Sequence, residues 1–428
     1  MNKEVYEMKI NKLASIIMLL PMFSGVLAGC SGSSEPGELA ETTITLGVWG
    51  GTDAEESTRD QLIADFTAET GIGVDVRVWT DYETQLQTEL IGGTAPDVFY
   101  VEAFLFPSLE NEGLLAPLGD FISNTEGFEK DDFYGPALNA FTAESGDIYG
   151  LPKDLSTLGL YYNETLLNEA GFTPEDIPTE MEELPEFLAQ LADNLPDGVV
   201  PAITSAELPR HLFALNAGGT SVIDENGLGV LTQPDQLEYV QMLVDAYEEG
   251  LVQRPIDLGH DWAGDSFGTE SAVLMIEGNW AIAHLNQNFS EVEFGTKEVP
   301  MMNGNQGSMM FTVSYSINAH SNNQEAAWEF VNFVTGKEGM TTWAEGASLI
   351  PSRQSSSEAL NLQENDVMAP FIAAADYATP WQQGTTLSIV FREYNNMIPA
   401  ALSGEMSLQE AMEQAERIAN NDIEAQLH

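Results

Sequence analysis

Between Thr43 and Asn111 the sequence alternates between two kinds of segment, and this alternation limits the fold more than any other feature. Thr43–Trp49 (TITLGVW), Val74–Val78 and Asp97–Val101 (DVFYV) are short runs rich in β-branched and aromatic residues, the composition of strands. Between and after them, apolar spacing predicts helices. One is capped by Thr52 or Asp53 and runs to Glu69, with Leu62, Ile63 and Phe66 on one face; the others cover Asp81–Ile91 and the region around Phe104–Asn111. Strands and helices in turn predict an α/β layer with a largely parallel sheet. Ligands of such sheets collect outside the carboxyl ends of the strands, where Trp49, Gly50, Gly51, Asp53 and Glu102 fall. An indole face packs on C–H groups and carboxylates accept hydroxyl protons, so these residues have the chemistry of a sugar corner. Trp49 as a core residue and Asp53 as a plain helix cap remain equally open.

At 428 residues, with 43% hydrophobic and 9% aromatic content, the chain has apolar material for two or three domains. Its first segment stands apart. Lys3, Lys9 and Lys12 precede an apolar run from Leu13 to Val26, broken by Pro21 and Gly25, and Leu27-Ala28-Gly29-Cys30 follows. A basic start, a short apolar stretch and small residues before a cleavage point predict a secretory signal peptide over residues 1–29. The one cysteine of the chain sits at its end, so no internal disulfide is expected. Residues 30–42, with Ser, Gly, Pro and Glu, read as a flexible tether.

The formal net charge is −54. Without residues 1–29, which hold three lysines and two glutamates, 11 basic residues face 66 acidic ones, a net −55. The acids are dispersed among apolar residues, the pattern of a salt-adapted surface, and nucleic acid is an unfavourable partner. With so many carboxylates, a pair of acids carries little information about catalysis.

Gly150–Asn163 (GLPKDLSTLGLYYN) is the most informative single stretch. It reads as a strand entering a sheet, with Tyr161 and Tyr162 half exposed and with Lys153, Asp154, Ser156 and Thr157 concentrated at its front. Beyond it, helices are expected over Glu164–Ala170, Leu184–Leu195, Pro234–Glu249, Ala326–Val334 and Ser407–Asn420, and a strand over Ser271–Ile276. Asp224-Glu225-Asn226-Gly227 lacks the spacing of a calcium loop and reads as a turn. The five histidines are scattered, and neither a GxSxG nor a P-loop occurs.

Taken in order, GGTAPDVFYVEAF, ENEGLLAPL, GDIYGLPKDLSTLGLYYNETLL, LVDAYEEGLV, AVLMIEGNW, YSINAHSNNQEAAWEFVNFVTGKEGM and GASLIPSR resemble the extracellular solute-binding proteins of ABC importers, in the sugar-binding group similar to maltose-binding protein. The ordered set covers most of residues 43–425. It implies an α/β, two-lobed periplasmic-binding-protein fold with a hinge of three crossings, near Leu155–Gly159, Met310–Tyr315 and Pro351–Ser356. Lobe one would hold residues 43–155 and 315–352, lobe two 156–312 and 353–428. By motif position, Trp280 of the GNW motif matches a ring-stacking tryptophan, Asp53 an acceptor after the first strand, and Glu102 a polar position after the PDV strand. Asp154 and Ser156 fall beside a hinge. Trp381 or Phe391, with Arg392, lies where a second aromatic wall is expected; Trp381 in the core and Arg392 paired with an acid are the alternatives. The end of the signal resembles a lipobox, which implies lipidation at Cys30 and attachment to the membrane.

The resemblance thus implies a monomeric, extracytoplasmic, lipid-anchored protein that captures a sugar or oligosaccharide and delivers it to a permease, with no catalytic residue, metal or cofactor. Two other classes stay open. Adjacent Tyr161 and Tyr162 resemble paired ligands of ferric iron, and a surface-anchored carbohydrate hydrolase would bind sugar as well.

Overall fold

The computed structural model describes residues 42–427, apart from Thr52 and Ser348. The expected signal peptide, Cys30 and most of the tether lie outside the described residues.

Among the described residues the strands are β1 (Thr43–Trp49), β2 (Gly73–Trp79), β3 (Val98–Glu102), β4 (Gly150–Asn163), β5 (Val200–Ile203), β6 (Val252–Gln253), β7 (Ala272–Gly278), β8 (Phe294–Lys297), β9 (Met309–Ile317) and β10 (Thr379–Pro380). They pair in the order β2-β1-β3-β9-β4-β7-β5-β6, with β10 beside β9 and β8 beside β4. The opening strands are parallel, as their alternation with helices requires. β5 is likewise parallel to β6 and β7. β9 runs antiparallel to both β3 and β4, so the whole sheet is mixed.

β4 is the element through which the two parallel groups communicate. Its front half, Gly150–Thr157, pairs with β9; its rear half pairs with β7 and β8. A strand of 14 residues can do this because nearly all of it is buried and apolar or hydroxylated, with no charged residue after Asp154. Its register slips between Pro152 and Asp154. Proline has no N–H to give to the ladder, and a bulge beside it accommodates the lost bond.

Two sets of apolar side chains flank this strand. Ile44, Leu46, Val48, Phe99 and Val101 pack with Phe66, Tyr315, Phe330 and Val331 in a cluster drawn from residues 44–151 and 315–347. The remaining clusters draw chiefly on residues beyond Leu155. Tyr134 and Ala137 are the exception, since they pack with Leu155, Tyr161, Met310 and Phe371. Each such fully buried side chain contributes about 1.5–3 kcal/mol.

Helices appear where apolar spacing predicts them, for example Asp53–Thr70, Tyr82–Gly92, Pro234–Glu248 and Leu408–Leu427. The acidic Asp224–Gly227 segment is a turn held by Asp224 Oδ1, which accepts from the backbone N–H groups of Asn226 and Leu228 at 2.9 Å each. Several helices escaped the sequence reading, among them Leu208–Ala217, whose residues are buried almost all round, Lys337–Ala347 and Leu387–Leu402. Tyr161 also corrects an expectation. It is fully buried, and its hydroxyl donates to the carbonyl of Gly278 at 2.7 Å.

Candidate functional site

The carboxyl ends of β1, β2 and β3 converge on one group of side chains. Trp49 ends β1, and its ring meets Tyr82 edge-on at 5.1 Å and Tyr100 at 4.9 Å. Tyr82 is held in turn by its hydroxyl, which donates to the Tyr100 carbonyl at 2.7 Å with the Gly47 carbonyl 3.3 Å away. Trp49, Asp81, Tyr82, Glu83 and Glu102 line a pocket of about 420 Å³. Glu102 is half-buried there, and burial, with Glu83 and Asp154 nearby, pushes its carboxyl up to about 7 against the pull of Lys153. Burial and Asp81 raise Glu83 as well.

Behind Trp49 lies a buried ion pair. Lys153 and Asp154 are consecutive, and in a regular strand they would point to opposite faces. The bulge at Pro152/Asp154 turns them together, so that Lys153 Nζ bonds Asp154 Oδ2. Lys153 Nζ also lies 4.6 Å from the Trp343 ring centre and 5.2 Å from that of Tyr100, and Trp343 Nε1 donates to Asp154 at 3.3 Å. Burial acts to lower the Lys153 pKa, but the Asp154 carboxylate, Tyr315 and Glu55 hold it above its ordinary value.

A second group forms at the ends of β5 and β7. Glu277 is buried; its Oε1 accepts from the Gly278 N–H at 2.9 Å and forms an ion pair with Arg210 Nη2, also at 2.9 Å. The Arg210 guanidinium lies 5.2 Å from the Trp280 ring centre and 5.3 Å from that of Phe311, and these two rings meet edge-on at 5.3 Å. Asn279 Oδ1 takes the backbone N–H of Thr157 at 3.1 Å, which ties the Gly-Asn-Trp turn to β4.

Strand register joins the groups. Glu102 stands opposite Val313 on β9, and Val313 opposite Asp154 on β4. Phe311 stands opposite Ser156. Because alternate residues share a face, Glu102, Asp154, Ser156 and Phe311 lie on the same side of the sheet, with Trp280 packed on Phe311. Of the residues singled out from sequence, Trp49, Glu102, Asp154, Ser156 and Trp280 are thus brought together. The Asp53 side chain lies outside the description.

Trp381 and Phe391 make a different structure. Trp381 is buried, 5.5 Å from Phe391 and 6.3 Å from Phe104, and its N–H donates to the Met310 carbonyl. Arg392 is not brought to the group. It is exposed on the helix Leu387–Leu402, where it bonds Glu393 and Asp422, so its guanidinium serves two acids and no cleft. Tyr161 and Tyr162 sit on opposite faces of β4, Tyr161 buried and Tyr162 half-buried, and do not converge on a common metal position.

The sequence reading missed Tyr82, Arg210, Glu277 and Phe311 as members of the site. An acid closing the apolar run AVLMI was a usable signal for Glu277, since a charge there needs a partner. Arg210 had no such signal.

The model of the family described as bacterial extracellular solute-binding protein matches residues 61–370. Among curated proteins, the chain is similar to the galactooligosaccharide-binding protein of Bacillus subtilis, with 22% identity over 98% of this chain and 99% of that one. Among solved structures, it is similar to an ABC substrate-binding protein from Listeria monocytogenes in complex with cycloalternan, with a TM-score of 0.78 and 20% identity over 89% of this chain and 99% of that one. The GacH receptor of Streptomyces glaucescens, solved unliganded and with acarbose, matches with a TM-score of 0.76 and 23% identity over the same shares. The fold is therefore the α/β, two-lobed fold of periplasmic binding proteins.

Proposed function

Because the chain belongs to the family of bacterial extracellular solute-binding proteins, we propose that it captures a sugar or oligosaccharide between two closing lobes and delivers it to the permease of an ABC importer. Lobe one comprises residues 43–155 and 315–352, lobe two 156–312 and 353–428, with crossings near Leu155–Gly159, Met310–Tyr315 and Pro351–Ser356. The division of the apolar clusters on either side of β4 supports this assignment.

One observation carries the reading: Trp49 and Trp280 each end or follow a strand at its carboxyl side, each beside a fixed acid–base pair, Lys153–Asp154 for the first and Arg210–Glu277 for the second. An aromatic face takes the C–H side of a pyranose, and locked polar groups beside it take the hydroxyls without reorganising. Glu102 accepts hydroxyl protons when ionised. Contacts to both lobes stabilise the closed form relative to the open one, which shifts the population towards closure. The chain binds and releases its ligand without turnover. Membership in this family also supports an extracytoplasmic location; cleavage after residue 29 and lipidation of Cys30 tether a monomer to the membrane.

Calorimetric titration of the purified protein against mono- and oligosaccharides tests the reading. Saturable heat with at least one sugar, and recovery of that sugar unchanged after long incubation, are expected. Absence of heat with every saccharide would overturn sugar binding, and products in the incubation would identify a hydrolase.

A further inference from the structure

Lobe two contains an apolar pocket that the sugar contacts do not use. Its volume is about 80 Å³, and Leu160, Leu188, Leu243, Leu274 and Ile276 supply much of its wall. It lies at a seam where Leu184, Leu243 and Ile276 pack against two separate apolar clusters. Thr204, Ser205, Arg210 and Tyr239 are its members with polar side-chain groups. Thr204 and Ser205 directly follow β5, and Arg210 is the same residue that lies over Trp280 and Phe311. The pocket and the second aromatic group therefore share a wall.

The chemistry of this wall selects its occupant. A sugar ring does not suit it, because hydroxyls buried against leucine and isoleucine would lose more hydrogen bonds to water than the few polar groups of this wall could replace. An apolar group gains about 0.8 kcal/mol per buried methylene. The volume is about half that of a cavity that holds benzene, roughly 150 Å³, which suits a branched chain of about three or four carbons. Arg210 adds a second observation: its Nε is buried and has no hydrogen-bond partner among the described residues. A buried N–H of this kind needs an acceptor. We propose that the ligand of this protein is a saccharide bearing a short alkyl or acyl substituent, which seats in this pocket while its linking oxygen or carbonyl accepts from Arg210 Nε. The proposal rests on the sugar-binding reading and narrows it to glycosides or acylated sugars.

Two measurements test it together. First, methyl and isobutyl glycosides of glucose, galactose, mannose and their disaccharides are titrated by calorimetry. The isobutyl member of a binding pair should bind about tenfold or more tightly. Second, isobutanol is added to protein labelled with ¹³C at the methionine methyls. Of the sixteen methionines, Met181, Met242 and Met275 line the pocket, and their signals alone should shift. Ala246→Leu, which fills the pocket, should abolish both effects and leave methyl glycoside affinity unchanged; Leu243→Phe serves the same purpose if that variant does not fold. No isobutyl gain, or a gain that survives pocket filling, overturns the proposal while the sugar reading stands. Flat traces for the methyl and isobutyl glycosides alike overturn both.

Discussion

The indole of Trp280 lies over Gly278, with ring carbons 2.2 to 2.5 Å from where a Cβ on that glycine would sit. The Gly-Asn-Trp motif is thus a seat as well as a turn: the missing side chain lets the ring fold back towards Arg210 and Phe311. Gly278→Ala should push the ring out of this position. Overpacking costs about 1–3 kcal/mol, and sugar affinity should fall about tenfold or more. Calorimetry, with melting temperature as a control for folding, checks both.

Trp280 and Trp381, both of which the sequence suggested as aromatic walls, should respond differently to removal. Trp280 is half-buried at a strand end, so Trp280→Ala should weaken sugar binding by tenfold or more and change stability little. Trp381 is buried between Phe104 and Phe391, so Trp381→Ala should cost about 3–5 kcal/mol of stability. Urea titration and calorimetry on both variants separate the roles, and equal loss of stability in the two would refute this division.

Lys153 and Asp154 are buried and depend on each other. Asp154→Ala takes away the carboxylate bonded to the buried lysine, a loss of about 3–5 kcal/mol. Replacing both, as Lys153→Met with Asp154→Leu, should recover most of that stability and still weaken sugar binding. A urea denaturation series on the single and double variants gives the comparison.

Glu102 predicts a dependence on pH. Burial first, then Glu83, raises its carboxyl from 4.5 to about 7 in the folded protein. The folded state therefore holds this proton more tightly than the unfolded chain. The group's contribution to stability is fully present below about pH 4.5 and is lost as pH rises through about 7. Glu102→Gln should remove that part of the slope, so the variant gains on the native protein between pH 5 and pH 8. Urea midpoints at the two pH values measure it; parallel profiles would exclude a raised carboxyl.

Salt should matter as well. A net charge of −54 repels itself, and added ions screen that repulsion. The melting temperature should climb steeply over molar NaCl, and a value indifferent to salt would refute a halophilic surface.

The sequence alone determined the periodic elements, the ordered motifs of the family and the positions of Trp49, Glu102 and Trp280 at strand ends, because periodicity and turn chemistry are local properties of the chain. Not every periodic element was read: Leu208–Ala217, Lys337–Ala347 and Leu387–Leu402 were missed, although the last carries the apolar spacing of an amphipathic helix. Only the tertiary structure decided the partners of the charges. Lys153 and Asp154 share a side because a bulge beside Pro152 breaks the alternation of β4. Arg210 meets Glu277 from a residue 67 positions away in the chain, and Arg392 turns to Asp422 on another helix. Charge pairing over such separations depends on how sheets and helices pack, and no spacing along the sequence encodes it.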